Sequence, residues 1–305
     1  MSLVKVLVTG SSGMIGTRLC ERLLENGFAV VGADIAPNQW SERIDSLTVR
    51  TDLRNAAEVQ RLPRDVDCVV HLAANARVYD LVVRPEDAFD NTLMTFNLLE
   101  FVRKNSIPRF IFASSREVYG NQDKTQYAEN EARVEYTESP YAASKLASES
   151  LAWSYHRCYG IDIAILRFSN VYGMYDNSNR LIPQSIAFIH QNKSITVYGA
   201  EKALDFTYID DAVQGVLLLI EKFDAAKNNT FNISFGKEEA IESVVQKLRK
   251  LLHARNEVET AITRPGEVAL YRGDVSKAKR LLGFHPTTGI DEGLAKTVKW
   301  YNAHP

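Results

Sequence analysis

A chain of 305 residues exceeds what one small core needs, so the expectation is an α/β domain with a smaller appended lobe. With 45% hydrophobic and 24% charged residues and a net charge of -2, nothing points to nucleic acid or an anionic membrane as a partner. No apolar run approaches the ~20 residues of a membrane span.

The first element is a Val-rich run over Leu3–Thr9, followed by helical periodicity over Ile15–Glu25 and a second apolar run over Phe28–Asp34. That is β-α-β in the length of one parallel unit. The alternation continues with a strand at Leu47–Thr51, a short helix at Ala56–Leu62 and a strand at Cys68–Ala73. A long helix over Pro85–Lys104, a strand at Arg109–Ala113, a helix over Pro140–Tyr159 and a strand at Ile161–Phe168 complete it. Such a pattern predicts a Rossmann-type, doubly wound parallel sheet with helices on both faces. Past about residue 170 it loosens into turns and a charged helix near Ile241–His253. Residues 1–170 are therefore read as the nucleotide-binding domain, with some later segments contributing. Residues 171–305 are read as the smaller substrate lobe.

Cys20, Cys68 and Cys158 fit neither a disulfide framework nor a metal-ligand spacing. They predict three buried thiols, no metal and a cytoplasmic setting, and no charged leader precedes the first strand. The helices at Pro85–Lys104 and Pro140–Tyr159 carry more apolar surface than one stripe requires, through Phe89, Leu93 and Phe96 on the first and Trp153, Tyr155 and Tyr159 on the second. The excess predicts a homodimer.

At the first strand-to-helix junction stands Thr9-Gly10-Ser11-Ser12-Gly13-Met14-Ile15-Gly16. Glycines there allow a tight turn and let backbone N–H groups and the helix amino terminus meet a pyrophosphate. Asp34 closes the second strand, where a carboxylate accepts from ribose hydroxyls and repels a 2′-phosphate, so the cofactor is read as NAD. Asp52 and Leu53 follow the third strand and are placed beside the adenine. His71, inside an apolar strand, is read as a satisfied core residue.

Tyr141 and Lys145 lie four apart at the start of a helix, on one face. A phenol titrates near 10, so a base at neutral pH needs a fall of about three units, roughly 4 kcal/mol, for which a neighbouring ammonium and a cationic nicotinamide are the expected source. Tyr198 and Lys202 repeat the spacing, but Gly199 and a strand-like run argue against a helix there. A serine of Ser114-Ser115, at the carboxyl end of a strand, is positioned to bond the reacting oxygen.

Together Thr9–Gly16, Asp52–Asn55, His71–Ala74, Ser114–Gly120, Tyr141–Lys145, Arg167–Gly173, Arg264–Glu267 and Leu281–Pro286 resemble the extended short-chain dehydrogenase/reductase family, in its nucleotide-sugar epimerase/dehydratase branch. The resemblance implies that Gly10, Gly13, Met14, Ile15, Gly16, Asp34, Asp52, Leu53, Leu72, Ala73, Ala74 and Asn91 line NAD, with Tyr141 and Lys145. It implies that Ser115, Tyr141 and Lys145 are catalytic, and that Ser115, Glu117, Asn170, Tyr198 and Arg264 bind a nucleotide sugar. The chain departs from the family at Leu204, where an Arg is usual, with Lys202 as a possible substitute. It also carries Arg116 where 4,6-dehydratases have an acid. The activity implied is 4-epimerisation of a nucleotide-activated hexose. The alternatives are a dehydratase, decarboxylase or net dehydrogenase using Glu117, and a non-enzymatic NAD sensor.

Overall fold

The central strand shows why the sheet forms: Val6, Leu7 and Val8 are all fully buried, so side chains on both faces are covered, as only a parallel sheet between two helical layers provides. The computed structural model describes residues 4–304, so Leu3, where the first predicted strand begins, lies outside the described residues. Strands β1 (Lys5–Thr9), β2 (Ala29–Asp34), β3 (Thr48–Arg50), β4 (Cys68–His71), β5 (Arg109–Ser115), β6 (Asp162–Phe168) and β7 (Asn229–Ile233) form one parallel sheet. Their order is β7-β6-β5-β4-β1-β2-β3. The order reverses at β1, so the crevice of a doubly wound fold opens beyond the carboxyl ends of β1 and β4.

Helix α1 (Met14–Glu25) packs on one side; α2 (Glu86–Lys104) and α3 (Pro140–Tyr159) pack together on the other. Helix α3 is well specified at both ends. Ser139 accepts a hydrogen bond from the Ala142 amide at 3.1 Å, Pro140 occupies the first turn, and Gly160 ends the helix in the left-handed region.

The later chain builds a second sheet in the order Glu238–Ala240, Ala203–Tyr208, Leu270–Gly273, Gln126–Tyr127, with Asn170–Tyr172 pairing alongside Ala203–Tyr208. Two crossings tie it to the main sheet. Asn229–Ile233 returns to the main sheet as its edge strand, and Gln126–Tyr127 comes from the first half. Between them Tyr119, Tyr127 and Tyr271 stack with centroids 5.2–5.8 Å apart, all fully buried.

Cys20 and Cys68 are buried, but Cys158 is exposed, correcting the expectation for that thiol. It lies in the last turn of α3, where Arg157 and Tyr159 also face solvent. No described helix is long and apolar enough to cross a membrane, and no described group of three His, Cys, Asp or Glu is arranged to hold a metal.

Candidate active site

The glycine turn explains its own composition. Gly10 has φ +73°, and a Cβ there would meet the Ala73 amide nitrogen at 2.8 Å. A Cβ on Gly16 would stand 1.9 Å from the Gly10 carbonyl oxygen. These glycines let β1, α1 and the end of β4 close to backbone contact. Gly13 caps α1 and Met14 opens it, leaving the helix amino terminus over the carboxyl edge of the sheet. Asp34 accepts from the Ser12 and Ala36 amides, each at 2.9 Å, so its carboxylate is held at the end of β2. This bare glycine turn beside a fixed carboxylate fits a dinucleotide's pyrophosphate and ribose.

Several residues around the expected cofactor site also make contacts within the protein. The Asn91 side chain bonds the Asn75 amide at 2.8 Å and the Asn75 carbonyl at 3.1 Å, pinning the loop after β4. Leu53 is buried in the core on one face of the sheet. Asp52 is paired with Arg54 at 2.8 Å, whose guanidinium holds the carboxyl below its ordinary range. His71 bonds Thr9 Oγ1 at 2.8 Å and Thr95 Oγ1 at 3.2 Å. Burial pushes it down to about 3, so it is a neutral core imidazole.

One cleft gathers the rest. Ile15, Leu72 and Ala74 line it from the glycine-turn end, and Ser115, Glu117, Tyr141, Lys145 and Asn170 line its middle. Tyr198, Leu204 and Arg264 line it from the second lobe. Gly10, Gly13, Gly16, Ala73 and Asp34 lie along the adjoining edge of the sheet rather than in its wall.

Lys145 is 4% exposed and its Nζ donates to the Ala113 carbonyl at 2.8 Å. Burial lowers it to about 8. The Tyr141 phenol sits in mixed surroundings. Burial raises the phenol above its ordinary value, while the Ser115 hydroxyl and the Arg180 and Arg116 charges draw it down. Lys145 Nζ, 5.8 Å from the Tyr141 ring centroid, is committed to Ala113. The polypeptide by itself therefore keeps Tyr141 protonated.

Lys202 is not a spare cation for Leu204: it is buried and ion-paired with Glu267. Arg264 is stacked instead, its guanidinium carbon 3.7 Å from the Tyr198 centroid and 4.8 Å from that of Tyr79. Tyr198 ends a strand, Ile195–Tyr198, so the second Tyr-x-x-x-Lys pair is not helical. Glu117 is buried and paired with Arg116 at 2.8 Å, and Arg116 also donates to Asn170 at 2.8 Å. The sequence reading did not foresee Tyr79, Asp176 and Arg180 in the cleft wall.

Residues 6–234 match the profile of the NAD dependent epimerase/dehydratase family. The chain belongs to this family. It is an NAD-dependent enzyme of the epimerase/dehydratase type with a Rossmann sheet. A UDP-glucuronate 4-epimerase of Thermodesulfobacterium geofontis is 31% identical, over 96% of this chain and 95% of that one. A putative UDP-glucose 4-epimerase of Methanocaldococcus jannaschii is 32% identical over 97% of each. Among solved structures, UDP-glucuronic acid 4-epimerase from Bacillus cereus, with UDP-glucuronic acid and NAD, superposes with a TM-score of 0.92 at 29% identity. It covers 99% of this chain and 100% of that one. Thermotoga maritima UDP-glucose 4-epimerase, with UDP-glucose, gives 0.90 at 28% identity over 99% of each.

Proposed function

We propose that this epimerase/dehydratase inverts C4 of a nucleoside-diphosphate hexose, with Tyr141 as the proton acceptor and donor, Ser115 as its hydrogen-bonded partner and Lys145 as the neighbouring cation. The observation that carries the proposal is the convergence of these three side chains in one cleft with Tyr198 and Arg264. When bound, NAD supplies the hydride acceptor, and its cationic ring favours the phenolate form of Tyr141. The protein's own residues do the rest. Ser115 bonds the reacting oxygen, Tyr141 takes its proton and later returns it, and the buried walls exclude water while the keto sugar turns.

Epimerisation is favoured over dehydration by the Arg116–Glu117 pair. At 2.8 Å from Glu117 Oε1, Arg116 engages one oxygen of the carboxylate at the position where dehydratases abstract a ring proton. Relatives act on UDP-glucose and UDP-glucuronate, and a UDP-hexose is the substrate proposed here. Incubating the protein with UDP-, GDP-, CDP- and dTDP-sugars and following each by NMR tests the reading. A C4 epimer supports it; a deoxy-keto product or a pentose, or no change with any sugar, overturns it.

For the nucleotide diphosphate, Asn170, Tyr198 and Arg264 are the proposed contacts. Leu204 is buried in the cleft wall near Lys202. Leu204→Arg is expected to tighten UDP binding by about tenfold by adding a bidentate donor. Unchanged or weaker binding in calorimetry would place the diphosphate elsewhere.

Residues 1–170 with the returning strand Asn229–Ile233 are proposed as the NAD-binding unit, and the remainder of 171–305 as the substrate lobe. The free cysteines support a cytoplasmic location. The α2/α3 face is the proposed homodimer contact. Phe89 and Phe96, two helical turns apart, are 70% and 43% exposed, and Tyr159 on α3 is 56% exposed. Phe89→Glu/Phe96→Glu is expected to give monomers by light scattering where the wild type is dimeric. A dimeric double variant, or a monomeric wild type, would refute that face.

A further inference from the structure

Behind the catalytic helix lies a second charged group that the proposed mechanism does not use. Glu149 follows Lys145 by one turn on α3 and is 6% exposed. Its Oε1 accepts from Ser114 Oγ at 2.5 Å and from Arg167 Nε at 2.9 Å, and its Oε2 from Arg167 Nη2 at 2.7 Å. Ser114 and Arg167 are register partners on β5 and β6. Arg167 is itself held by the Tyr119 hydroxyl at 3.1 Å and the Glu129 carbonyl at 2.7 Å. Consecutive residues of β5 are thus stitched to the same helix, Ala113 through Lys145 and Ser114 through Glu149. Ser115 is the next residue along.

We propose that Glu149 is a positioning residue for the reaction: its carboxylate locks α3 to the strand that presents Ser115 and so fixes the surroundings of the Lys145 side chain. The inference rests on the catalytic roles assigned above to Tyr141, Lys145 and Ser115. Its physical basis is the scarcity of water around Lys145. A buried ammonium favours shedding its proton unless an anion stands near, and the anion one helical turn away is Glu149. Arg167 donates to both Glu149 oxygens, so the carboxylate is paired in the interior. The direction of the Lys145 shift agrees, since burial lowers it and Glu149 raises it.

The test is Glu149→Gln, which keeps the side chain's size and removes its charge. In the NAD-bound protein, the Lys145 titration is followed by the carbon-13 resonance of its Cε, assigned by its loss in Lys145→Met. The expected result is a midpoint lower by about one pH unit, with kcat down about tenfold and KM within about twofold. Because Glu149→Gln also orphans the Arg167 guanidinium, the variant is read alongside Glu149→Gln/Arg167→Met, which removes that cation. The double variant must also titrate below the wild type. An unshifted Lys145 midpoint in the double variant, or a kcat that falls only with the folded fraction, overturns the proposal. Wild-type turnover in Tyr141→Phe is a separate outcome that would overturn the catalytic assignment instead.

Discussion

Tyr141→Phe is expected to bind NAD as the wild type does and to lose about 10³-fold in kcat. The phenol ring is buried against the cleft wall, and phenylalanine preserves that packing, so the loss isolates the hydroxyl. Three other titratable groups described there have protein partners. Glu117 is paired with Arg116, Glu267 with Lys202, and the Lys145 Nζ with Ala113. Rapid-mixing absorbance of the nicotinamide, with calorimetry for NAD, separates chemistry from binding. Wild-type turnover would remove Tyr141 from the mechanism. A loss of NAD affinity with an unchanged single-turnover rate would make it a binding residue only.

The largest effect on the cofactor is expected from Gly16→Ala. The added Cβ would lie 1.9 Å from the Gly10 carbonyl oxygen and 2.9 Å from the Ser11 Cα, and both are backbone. No rotamer change relieves such a contact, so the first turn of α1 must move off the glycine loop. That displacement pulls the helix amino terminus from the pyrophosphate position. The expected outcome is loss of NAD binding by about 10²-fold or more, with destabilisation on the order of 2–3 kcal/mol from the forced shift. Calorimetry and thermal unfolding measure the two. Normal NAD affinity in this variant would mean that the dinucleotide does not use the loop.

The centre of the sheet was legible because its inner strands are buried on both faces and read as unbroken apolar runs; β1, β2, β4 and β6 fall where those runs fall. The glycine loop was legible because backbone approach has a residue-level signature. What stayed hidden depended on contacts between distant segments. The second sheet joins residues from 126 to 273 through strands too short to show a period. Lys202 looked available until Glu267, 65 residues on, was found beside it. Asn91, expected beside the cofactor, also holds the backbone of Asn75, a partner 16 residues away that no spacing announces. Glu149 did carry a sequence signal, an acid one turn after Lys145, but its partner Arg167 comes from another strand. The Tyr141–Lys145 spacing was legible and both side chains line the cleft, whereas the burial that raises the phenol is invisible in a spacing.

The central claim is that hydride leaves C4 and returns to the same carbon from a cofactor that never departs. A UDP-hexose deuterated at C4 tests it directly, with the product examined by NMR. Deuterium retained at C4 of the inverted sugar is the predicted result. Inversion with deuterium lost to solvent, or label recovered in released NADH, would contradict it.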